Sequence, residues 1–141
     1  MSQSNTRVGD IRVLAGSDLR GKEGFLVKLG SSSGETVAVL PDDTGDLALF
    51  VVIEGADTGG LVSLRSLSPD RNVRVRAVGG CLAGSPLVLA DVSEEADAGK
   101  VRALPGAAGS YRVLLIAEET GVAGQLVLAR PAMVGVVEVE E

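Results

Sequence analysis

The stretch "GSDLRGKE", Gly16 to Glu23, is the part of the chain that comes nearest to a known chemical motif. Gly16, Gly21 and Lys22 fit the phosphate-loop pattern G-x-x-x-x-G-K-[ST]. In that loop, glycines let backbone N–H groups curl around phosphates, the lysine reaches them, and the last hydroxyl holds Mg²⁺. Here Glu23 stands at the hydroxyl position and would set a carboxylate beside the phosphates. The loop must also open a helix, whereas "GFLVKLG" follows at once and reads as a strand closed by Gly30 and three serines. The stretch is therefore read as a glycine-rich connection carrying Asp18, Arg20, Lys22 and Glu23 on its surface. No nucleotide or other cofactor is expected.

Other reactive groupings are equally incomplete. The chain has no His, the commonest general base and metal ligand. Cys81, beside Gly80 and Leu82, is the only cysteine and is read as a buried thiol. Asp42, Asp43 and Asp46 in "PDDTGD" suggest calcium. A twelve-residue binding loop starting at Asp42 would need Glu at its last position, which is Ile53, so the segment reads as a turn with solvated carboxylates. No acid, base and orienting group can be assembled, and no catalytic or metal site is expected.

One charge pattern does stand out. Arg65, Arg71, Arg74 and Arg76 are four of the ten arginines, with only Asp70 among them to offset their charge. In "NVRVRAV", Arg74 and Arg76 share one face of a strand, and Val73, Val75 and Ala77 take the other. The reading of these arginines stays open between a solvated strand face and an intermolecular contact, in which "SEEAD", "AEE" and "EVEE" would supply acidic partners.

Composition bounds the rest. The chain has 141 residues, 45% of them hydrophobic but only 2% aromatic, so its core must be built from Val, Leu, Ile and Ala. Its 19 glycines favour turns over long helices. A net charge of −6 disfavours phosphate backbones, and no nucleic-acid partner is expected. One cysteine cannot make an internal disulfide. The polar start "MSQSNTRVGD" lacks the apolar core of a signal peptide, and no apolar run is long enough for a membrane span. The expectation is a soluble protein kept inside a cell or carried in a particle assembled there.

Short Val- and Leu-rich runs recur at strand spacing: "DIRVLA", "GFLVKLG", "ETVAVL", "LALFVVIEG", "LVSLRSL", "NVRVRAV", "PLVLAD", "KVRAL", "YRVLLIA", "QLVLARP" and the alternating end "VGVVEVEE". They predict an all-β fold of about ten strands, a sandwich or barrel. "SSSG" is expected to close a hairpin, and Pro69 in "SPDR" to sit second in a tight turn. The apolar run at 47–55 predicts burial on both faces. Helix is limited to a turn or two in "DVSEEADAGK", capped by Ser93, and one in "AEETGVAG". The organisation expected is a loose arm over residues 1–9 and a single barrel-like domain over 10–141 with an acidic end, without internal repeat.

Two stretches taken together resemble a known family. "DLRGKEGFLVKL" (18–29) is similar to an early segment of small phage capsid decoration proteins, also called capsid cement proteins. The stretch from "AVGGCLAGSPLVLADVSEEADAGKVRAL" to "YRVLLIAEETGVAGQLVLARP" (77–131) is similar to their second half. The extension after Pro131 lies outside the pattern. The resemblance implies a β-tulip barrel and a homotrimer. Such trimers sit on three-fold positions of a shell of major capsid protein and strengthen it without catalysis. Two alternatives stay open at this stage: a free-standing bacterial β-barrel trimer, and a ligand- or carbohydrate-binding barrel with a concave pocket.

Overall fold

The computed structural model describes residues 9–140, so most of the expected N-terminal arm and the last residue lie outside the described residues. The fold is all-β. Its strands are β1 Ile11–Ala15, β2 Leu26–Ser32, β3 Glu35–Val39, β4 Phe50–Glu54, β5 Leu61–Ser66, β6 Val73–Arg76, β7 Pro86–Leu89, β8 Val101–Ala103, β9 Gly109–Ala117 and β10 Leu126–Val139. β1 to β5 close into a barrel in the order β1-β3-β2-β4-β5, and β6 to β10 form a five-stranded sheet in the order β6-β10-β9-β7-β8.

Local chemistry explains most of the strand ends. The β2–β3 hairpin turns on Ser33 and Gly34, both with positive φ (53° and 80°), the two-residue loop that matches strand twist. Ser68 accepts a hydrogen bond from the Arg71 amide across Pro69, the tight turn predicted there. That turn carries the chain from the barrel into the second sheet. Among the described residues only Glu95–Asp97 forms a 3-10 turn, and it lacks the expected Ser93 cap. Instead the Ser93 amide donates to the Asp91 carboxylate, because a short aspartate can mimic a turn of backbone. "AEETGVAG" is a bend and a bridged turn rather than a helix. "QLVLARP" and "VGVVEVEE" are one strand, β10, with a register irregularity between Pro131 and Gly135, whose φ is 92°.

Contrary to the expectation of no repeat, the two sheets are the same five-strand unit twice. In each, the first strand pairs antiparallel with the fifth, the fifth with the fourth, the fourth with the second and the second with the third. Registers coincide: Leu14↔Leu61 corresponds to Arg76↔Leu126, Val52↔Leu64 to Ala117↔Ala129, and Leu29↔Ala38 to Leu89↔Val101. The parallel contact between first and third strands, Ala15↔Ala38, reappears as a single bridge, Ala77↔Val101. Turn hydrogen bonds match as well: Ala15 to Gly60 and Gly59 to Ala15 in one half, Ala77 to Gln125 and Gly124 to Ala77 in the other.

The halves differ where they meet. The second unit is held open between β6 and β8, and the first unit inserts there. The Arg76 amide donates to the Gly24 carbonyl (2.9 Å), and the Leu26 amide to the Gly99 carbonyl (2.7 Å). The β2–β4 wall is accordingly apolar on both sides. Val27 and Val52 fill the first barrel with Ala15, Leu19, Val62 and Leu64, while Leu26 and Val51 belong to the core of the second. Burial on both faces of the 47–55 run is thus confirmed at Val51 and Val52, whereas Leu47 and Ile53 are exposed.

Candidate assembly surface

The structure disperses the phosphate-loop residues. Gly16 to Glu23 cross from β1 to β2 without helix. Leu19 is fully buried, Arg20 grips Asp18 through two side-chain hydrogen bonds, and the Lys22 ammonium lies 4.8 Å from the centre of the Phe25 ring. The Arg20 guanidinium and two hydrogen bonds to it pull the Asp18 carboxyl down to about 2. Asp42 and Asp46 both receive the Lys28 ammonium at 2.8 Å, so the acidic turn is a lysine site. Cys81 is buried, and its backbone exchanges hydrogen bonds with Gly121. A side chain at 121 would stand 2.9 Å from the Cys81 sulfur, which explains the glycine.

The four arginines go to different tasks. Arg65, on β5, makes a two-pronged ion pair with Asp10 (2.9 and 3.0 Å), and this pairing lowers the Asp10 carboxyl below its ordinary value. Arg71 donates to the Ser66 carbonyl and Arg76 to the Gly124 carbonyl, so both tie connections to strands. Arg74, on β6, points outward as its strand alternation requires, with its side chain 61% exposed and Glu119 3.7 Å away. Arg65 and Arg74 do share a surface. They line an open groove of about 590 Å³ between the two units, with Ile53, Asn72, Leu126 and Leu128.

Sequence reasoning missed Arg130 and the apolar floor of this groove. Arg130 donates to Glu118 at 2.9 Å, Asn72 donates to the same carboxylate, and together they lower the Glu118 carboxyl. The repeat would have found Arg130, since it is the equivalent of Arg65. Ile53 and Leu126 remain exposed in the groove, and Val134 and Val136 are exposed on β10. The barrel interior, by contrast, is filled by its own aliphatic side chains.

No family model matches the sequence, and no curated protein matches it either. Among solved structures, the head fiber gp8.5 N base of bacteriophage phi29 superposes with a TM-score of 0.67 over 94% of this chain and 98% of that one. The chain shares its fold with a phage head protein. Sequence identity is 16%, so the likeness extends to the architecture and no further. It spans the chain nearly end to end, and therefore takes in both units.

Proposed function

We propose that this chain is a non-catalytic structural protein of a phage or prophage head, which assembles as a homotrimer and decorates the shell. The observation that carries this reading is the full-length match to a head-fibre base, obtained where the sequence resemblance had pointed to capsid decoration proteins. The physical features agree with it. The chemical groups that might have formed a site are spent on packing and turns. Apolar side chains and the largely exposed Arg74 stand on an open surface, where a neighbouring subunit would cover them. On this reading the major capsid protein is the second partner and the virion surface the place of action.

The test is cosedimentation with expanded tailed-phage heads stripped of their decoration. The purified protein should pellet with the heads, saturate at a fixed stoichiometry and raise their resistance to heat or chelator. Protein that stays in the supernatant with all such heads would leave a free-standing assembly instead.

A further inference from the structure

The end of β10 has no counterpart in the first repeat. β5 stops at Ser66, whose equivalent is Pro131, while β10 runs on to Val139. β6 accompanies it only from Leu126 to Ala129, so among the described residues the extension has β9 on one side and no strand on the other. One face of it presents Val134, Val136, Glu138 and Glu140, all exposed, the two valines at 58% and 54%. Alternation thus gives the extension an apolar half followed by an acidic half.

The groove between the units offers the complement. Its floor is Ile53, Leu126 and Leu128, Glu23 also lines it, and its most exposed cation is Arg74, whose side chain is 61% exposed and reaches Glu119 only at 3.7 Å. Within the other acidic segments, Glu118 pairs with Arg130 and Asn72, Glu119 with Arg74 and Asp97 with Lys100. Glu138 accepts only from the Ser110 hydroxyl. Ala129 is level with Ala117 and Val136 with Arg112 on β9, so Leu128 and Val136 lie about 20 Å apart along the sheet at the usual rise per residue, and the extension, held against β9, does not reach its own groove.

We propose that the β10 extension of one copy lies in the groove of the next, with Val134 and Val136 on Ile53 and Leu126 and the carboxylates of Glu138 and Glu140 on Arg74. This rests on the homotrimer reading and names its contact. Because the two patches differ, each copy gives one extension and receives another. A head-to-tail contact of this kind closes as a ring when the rotation allows, here with three members.

The experiment is light scattering after size exclusion, over a dilution series. It compares the wild type, Arg74→Glu, the pair Glu138→Arg with Glu140→Arg, and a chain carrying all three changes, each checked for native circular dichroism. Either reversal should raise the concentration at half-assembly at least about tenfold, as expected for a central charged contact. The combined chain should return to within about threefold of the wild type, because the charges then match again. A wild-type trimer that neither reversal weakens, or that the combined chain fails to restore, overturns this contact and leaves the trimer standing. A wild-type monomer at every concentration overturns both.

Discussion

Arg65 and Arg130 hold one position in the two halves of the chain: Arg65 stands opposite Val51, Arg130 opposite Ile116, and each guanidinium closes an ion pair at 2.9 Å. The partners come from different places, Asp10 ahead of the first strand and Glu118 after the ninth. Equivalent strand positions therefore carry the same cation but pair it with acids from different segments. Arg65→Ala should cost about 0.5–1 kcal/mol in urea unfolding, the range for a two-pronged pair about one-third exposed. Arg130→Ala should cost less.

The pH dependence follows from the same pairs. Asp10 and Glu118 have folded pKa values below their ordinary 3.8 and 4.5, so the unfolded chain binds protons first as pH falls. Their contribution is complete above the ordinary values and is lost as pH drops through the depressed ones. Stability measured downward from about pH 5 should decline, and Asp10→Asn with Glu118→Gln should make that decline shallower. An unchanged slope would show that the pairs do not couple to folding.

Gly24 is where the halves interlock. Its φ is 87°, and a Cβ there would collide with Leu126 and crowd the backbone of Arg74 and Arg76. Gly24→Ala should destabilise by about 1–3 kcal/mol through strain and overpacking together. Gly21→Ala, with positive φ but open space around it, should cost about 1 kcal/mol. Comparing the two melting curves isolates the interlock.

Because Leu26 and Val51 belong to the core of the second unit, the halves should unfold together. Calorimetry should give one transition whose van't Hoff and calorimetric enthalpies agree. Leu26→Ala should lower it by about 2–5 kcal/mol without splitting it. Two resolved transitions in the wild type would contradict the shared wall.

Cys81 should react with a thiol reagent only on unfolding, since its side chain is buried between β6 and the Gly121 bridge. Labelling in native buffer at the rate of a small free thiol would place it at the surface.

How much of this was readable beforehand depends on range. Alternation at Val73, Val75 and Ala77 against Arg74 and Arg76 fixed the faces of β6, and "SSSG" fixed a hairpin, since both are local properties. The repeat was hidden because it lies in backbone hydrogen bonds that many side chains can satisfy. Leu19 matches Cys81, and Ala56 matches Gly121. Gly24 follows Leu19 by five positions but Gly84 follows Cys81 by three, which breaks any simple alignment of the halves. Pro131 read as a strand end, yet it lies beyond the last residue paired with β6, where a missing N–H costs no bond on that side. For the arginines, the sequence showed a cluster of charge, whereas the partner of each depends on chain segments far away. Only Arg74 was left open to solvent.

The central claim is self-assembly, and the native mass in solution tests it most directly. Light scattering after size exclusion at low micromolar concentration should give three times the 14.3 kDa of the chain. A single species at 14.3 kDa, unchanged as the protein is concentrated, would contradict the preformed homotrimer.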